Sequence, residues 1–190
     1  MKQPHLPRIE CLNAIARDHA VIVFATPGQR PVTGLAWLDE AAEALFNGGL
    51  LGGKVPTLAL STHGAQTLPL VVVPLDNQAA PDEVRLCAAD AIALLSERRQ
   101  ARCTVVLPKD PRLVQLVTEG VLAANHRYDS AGIACDRRAA PIAVDFAGPA
   151  GEAGLGDAVR AGWLTSVAAL AARDLVTEPA NILTPAQFVV

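Results

Sequence analysis

The chain has 190 residues, of which 51% are hydrophobic, 18% charged and 4% aromatic, and its net charge is −3. This length fits one domain with at most a short appended segment, and the composition excludes disorder, which needs low hydrophobicity and high net charge. A pI near 5.8 argues against a general nucleic-acid binder. Charge well below the usual level of about 25% implies that a partner covers part of the surface.

Residues 1–8 carry no apolar h-region of a secretory signal. The longest apolar run, Leu68 to Leu75, is far short of the ~20 residues of a membrane span. The expectation is a cytoplasmic protein with no membrane or nucleic-acid partner. Four cysteines (Cys11, Cys87, Cys103 and Cys135) form no C-x-x-C pair and read as small buried apolar groups.

In chain order, Ala20–Ala25 is a short β-branched apolar run, the pattern of a strand buried on both faces. Asp39–Phe46 follows with helical spacing, and Asn47-Gly48-Gly49 stops it. Val55–Ser61 and Leu68–Val73 are strands joined by a loop short enough for a hairpin. Pro81-Asp82-Glu83 opens a long helix with Val84, Cys87, Ala88, Ala91, Leu94 and Leu95 inward. Cys103–Leu107 is a strand. Asp110-Pro111 opens a helix whose apolar face is Leu113, Leu116, Val117 and Leu122. Pro141–Phe146 is a further strand. After a glycine-rich stretch that reads as a hinge, a helix runs from near Gly156 to Thr177, with Val159, Trp163, Val167, Leu170 and Ala171 on one face. Pro179 ends it. Strands alternating with helices predict an α/β domain: three layers, with a mixed, largely parallel sheet flanked by helices.

No catalytic constellation emerges. Gly48 to Lys54 fits G-x-x-x-x-G-K, but Val55 stands where a Mg²⁺-binding hydroxyl belongs, and the order is helix, loop, strand rather than strand, loop, helix. His5, His19, His63 and His126 are scattered, with neither H-E-x-x-H nor H-x-x-x-H, and there is no G-x-S-x-G elbow. The pairs Asp39-Glu40 and Asp82-Glu83 read as first-turn carboxylates that complement helix dipoles. Arg98, Arg99 and Arg102, and separately Arg137 and Arg138, read as solvated positions.

The stretch from Ala171 to Pro185 is different. It closely resembles the A-R-D-L-V-N-x-P-P-N-x-L-T-P signature of the leucyl (cytosol) aminopeptidases. It retains Arg173, Asp174, Leu175, Val176, Pro179, Asn181, Leu183, Thr184 and Pro185, and departs at Thr177 and Ala180. Upstream, Glu119 to Tyr128 resembles the family phrase E-G-x-x-L-x-x-Y-x-F/Y. The resemblance covers about residues 10–188.

It implies a macro-domain-like N-terminal domain over 1–150. Residues 151–190 would form the linker helix and the start of the junction to a catalytic domain. The junction residues Arg173, Asp174, Leu175, Glu178, Pro179, Asn181, Thr184 and Pro185 are then structural. The family holds two divalent metals, such as zinc or manganese, with a lysine segment and an N-T-D-A-E-G-R segment of its catalytic domain. Neither segment occurs here, so no catalytic, metal or cofactor residue is carried over and no cofactor is expected in this chain. The implied role is a non-catalytic domain for packing and assembly. Its partners would be a leucyl aminopeptidase catalytic domain or other copies of itself, as in the family's hexamers. The alternative is a stand-alone macro-like module binding a nucleotide or ADP-ribose. The apolar residues after Thr177 (Ile182, Leu183, Phe188, Val189 and Val190) are expected either to be loosely tethered or to dock on another copy.

Overall fold

A computed structural model describes residues 9–11, 19–26, 33–48, 55–63, 66–126, 141–148 and 154–177. The strands are β1 (Ile9–Cys11), β2 (Ala20–Ala25), β3 (Thr57–His63), β4 (Gln66–Pro74), β5 (Arg102–Val106) and β6 (Ala143–Gly148). The helices are α1 (Ala36–Asn47), α2 (Pro81–Glu97), α3 (Pro111–Asn125) and α4 (Leu155–Thr177). The six strands form one sheet in the order β1-β6-β5-β2-β4-β3. Every neighbouring pair is parallel except β3 with β4.

The expected three-layer mixed sheet is therefore what the chain forms. Alternate residues of each strand face opposite ways, which builds two cores. On one face Ala20, Ile22, Val71, Val73, Cys103, Val105 and Phe146 pack with residues of α2, α3 and the start of α4. On the other, Val21, Val23, Leu68, Leu70, Val72 and Val106 pack with Trp37 and Leu38 of α1. The central strands are buried on both sides, as their unbroken apolar runs require; Phe24 alone among the central residues of β2 is half-buried.

The hairpin forms, and its ladder runs from Thr57↔Val72 to His63↔Gln66. Asp110 caps α3, accepting from the Arg112 N–H at 2.9 Å. Helix α1 begins at Ala36, earlier than Asp39. Its Asp39 carboxylate reaches back to accept from the Thr33 N–H at 2.6 Å and the Thr33 hydroxyl at 2.7 Å, fixing the turn that leads in. Strand β1 was not expected; three residues are too few to show a period. Gly49 to Lys54 lies outside the described residues, but it runs from helix α1 to strand β3, the order that argued against a phosphate loop.

The faces of α3 and α4 differ from those the apolar period picks out. In α3 the buried residues are Leu113, Val114, Val117, Thr118, Glu119, Gly120 and Val121, while Leu116 and Leu122 are half-buried. In α4 they are Leu155, Ala158, Val159, Gly162, Ser166 and Leu170, while Trp163, Val167 and Ala171 are half-buried. The reason is that α3 lies between α2 and α4, so it buries two flanks as well as its underside. Its neighbours approach closely where a residue is small. A Cβ on Gly162 would lie 2.6 Å from the Gln115 carbonyl oxygen and 2.9 Å from Thr118 Cβ. A Cβ on Gly120 would run into the Arg85 carbonyl of α2. The stretch read as a hinge is bounded by contact: Leu155, at the start of α4, packs over Gly148 at the end of β6.

Candidate functional site

The two motifs meet at one described contact, His126 with Asp174, at the end of α3. Its second half carries Glu119, Gly120, Asn125 and His126, four residues of the phrase Glu119–Tyr128. Glu119 and Gly120 tie α3 to α2, Asn125 ties it to the backbone ahead of β6, and His126 ties its end to α4. Glu119, nearly buried, accepts from Arg85 Nε of α2 at 2.7 Å and from Gln115 Nε2 at 3.0 Å. The hydrogen bond to Glu119 raises the Arg85 pKa above its ordinary value, and Asp82 adds to the effect at 2.9 Å. Gly120 lets α2 come close. Asn125 makes two hydrogen bonds with the backbone ahead of β6: its Nδ2 donates to the Ile142 carbonyl at 2.7 Å, and its Oδ1 accepts from the Ile142 N–H at 2.8 Å.

His126 follows directly after α3, and its Nε2 lies 2.7 Å from Asp174 Oδ1 of α4. Both side chains are largely shielded from solvent. Gly162 meets α3 near its start and Asp174 meets it at its end, so α3 and α4 run in the same direction. Asp174 is the described residue of the Ala171–Pro185 stretch that bonds back to the end of α3. Beyond it the last turn of α4 is exposed, with Val176 88% accessible and Leu175 partly so. Leu164 is also exposed, on the outward side. Of the other junction residues, Arg173 is exposed, whereas Glu178, Pro179, Asn181, Thr184 and Pro185 lie outside the described residues, as does the apolar tail.

The remaining chemistry-bearing residues are held in packing roles. His19 is buried, with Nε2 2.7 Å from the Thr104 hydroxyl. Arg102 is not merely solvated: its Nε donates to Asp145 at 2.7 Å. Glu83 accepts from the Ala80 N–H at 3.1 Å, closing the start of α2. Cys103 is buried and Cys87 half-buried. Burial, with Asp145 adding to it, pushes the Cys103 thiol up to about 12. His5, Arg137, Arg138 and Cys135 lie outside the described residues, as do the side chains of His63 and Cys11. Among the described residues no three His, Cys, Asp or Glu side chains converge as metal ligands. Among the same residues no helix is long and apolar enough to cross a membrane.

The sequence matches no family profile and no curated protein. Among solved structures, a tomato leucine aminopeptidase mutant superposes on 98% of this chain with a TM-score of 0.67 at 15% identity. This is the fold of the N-terminal part of a leucine aminopeptidase. The bottromycin maturation enzyme BotP gives a TM-score of 0.64 over 91% of the chain at 21% identity, and its complex with Mn gives 0.62 at 20%. The chain spans 41% of the tomato enzyme and about a third of BotP. At these identities the likeness carries the leucine aminopeptidase fold.

Proposed function

We propose that this chain is a non-catalytic N-terminal domain of a leucyl aminopeptidase-type enzyme, a metallo-exopeptidase that removes N-terminal residues from peptides. Residues 1–150 form its α/β body. Residues 151–190 form the linking helix and the start of the junction. The domain serves packing and assembly in the cytoplasm, against a catalytic domain or other copies of itself. The two divalent metals and the peptide chemistry belong to the catalytic domain.

The observation that supports this reading is the build of α4. Its first half buries Ala158, Gly162 and Ser166, with Gly162 close against Gln115 and Thr118 of α3, and Asp174 is held by His126. Immediately afterwards Leu175 and Val176 face solvent, at the place where the motif hands the chain onward. Exposed apolar side chains beside a fixed anchor make an oriented docking end. The test is Val176→Lys in the protein together with its catalytic domain. The melting temperature of the isolated domain should stay within about 2 °C, because Val176 touches solvent rather than core. Assembly with the catalytic domain should weaken. Unchanged assembly would count against α4 as the docking element.

A further inference from the structure

We propose that the outer edge of β3 pairs with the same edge of a second copy, in antiparallel fashion about a two-fold axis through Leu60, joining two sheets into one. This does not rest on the role given to α4. Helices α2, α3 and α4 are packed in that order, and α4 sits over β6, whereas β3 is at the opposite end of the sheet. The two surfaces leave each other free.

The edge is open where it matters. Among the described residues no strand lies beyond β3. Leu60, the middle residue of this seven-residue strand, is 72% exposed. Its partner in the ladder is Pro69. Proline has no N–H to give, so Leu60 occupies a position whose own N–H and C=O turn away from β4, toward the open edge. These are the groups that a further strand needs.

The chemistry commits the edge to a copy of itself. Edge strands are usually guarded by charges, prolines or bulges. Thr57-Leu58-Ala59-Leu60-Ser61-Thr62-His63 carries no Asp, Glu, Lys, Arg or Pro. Antiparallel pairing centred on Leu60 sets Leu60 against Leu60, Ala59 against Ser61, Leu58 against Thr62 and Thr57 against His63, so the two leucines meet at the centre and no carboxylate, lysine or arginine opposes another. A two-fold contact must be self-complementary in this way. One short strand and two leucines bury less than the ~1,200 Å² at which stable interfaces begin, so the pairing is weak and depends on concentration.

The test is sedimentation of the 190-residue chain over a wide concentration range, with three variants. The parent should shift with concentration from 19.8 kDa toward twice that mass. Leu60→Lys should weaken association at least tenfold while its circular dichroism and melting temperature match the parent. Leu60→Cys should form a covalent dimer under mild oxidant where the parent does not, because paired Cα atoms about 5.5 Å apart lie within disulfide reach. Leu86→Lys, at an exposed position of α2, should leave the association unchanged. A parent that stays monomeric throughout overturns the proposal. So does Leu60→Lys dimerising like the parent, a Leu60→Cys chain that dimerises without cross-linking, or loss of the dimer in Leu86→Lys but not in Leu60→Lys.

Discussion

His126 Nε2 and Asp174 Oδ1 lie 2.7 Å apart, although 48 residues separate them in the chain. The contact ties the end of α3 to the last anchored turn of α4 and joins two motifs that look independent in sequence. It sets the direction in which Leu175 and Val176 leave the domain.

Replacing His126 with alanine should therefore loosen the end of α4 without melting the sheet. A largely shielded hydrogen bond of this kind contributes roughly 1 kcal/mol. Hydrogen exchange should show lost protection at 171–177 and unchanged protection in β2 and β4. A uniform loss across the domain would mean that the contact supports the whole fold instead.

Gly162 is the position where α4 can least tolerate a side chain. A Cβ there would stand 2.6 Å from the Gln115 carbonyl oxygen, which belongs to helix backbone and cannot swing aside. Gly162→Val should cost about 1–3 kcal/mol by overpacking. Urea unfolding would read this as a lower midpoint with an unchanged slope. Tolerance of valine would show that the helices pack further apart.

Much of this architecture was legible in the sequence, for reasons that belong to particular residues. Ala20–Ala25 shows as a buried strand because both of its faces are covered, which demands an unbroken apolar run. Asp110-Pro111 and the β3–β4 hairpin show because caps and short turns are local. The face of α4 did not show. Apolar periodicity ranks Trp163 and Val167 as inward because they are large, but a close helix crossing selects small residues, here Ala158, Gly162 and Ser166. The spacing of four between them was the available signal. The His126–Asp174 contact could not be read, since it exists only once α3 and α4 lie side by side.

Val72 lies fully buried in β4 between β2 and β3, facing α1. Val72→Asp places an unpaired charge there, which costs several kcal/mol. The expected outcome is loss of the cooperative melting transition. A melting temperature within a few degrees of the parent would mean that this strand is not central.

Cys103 gives a pH prediction. Its folded pKa is raised to about 12 against an ordinary value of 9.0, chiefly by burial. The folded state thus holds the thiol proton more tightly than the unfolded state. This contribution is complete below about pH 8 and is lost as pH rises from 9 toward 12. Stability should fall over that window, and less so in Cys103→Ala relative to its own value at pH 8. In the native protein a thiol reagent at pH 8 should leave Cys103 unlabelled; rapid native labelling would contradict its burial.

The central claim is that this domain works within a leucyl aminopeptidase-type enzyme while supplying none of its catalytic groups. The most direct measurement compares metal-dependent leucine-anilide hydrolysis, with Mn²⁺ or Zn²⁺, in two samples. One is the 190-residue chain alone. The other is the protein isolated from its own cells with an antibody to this domain. The account predicts turnover in the second sample and none in the first. Turnover by the isolated chain that persists through several purification steps would contradict it, as would a native isolate without aminopeptidase activity.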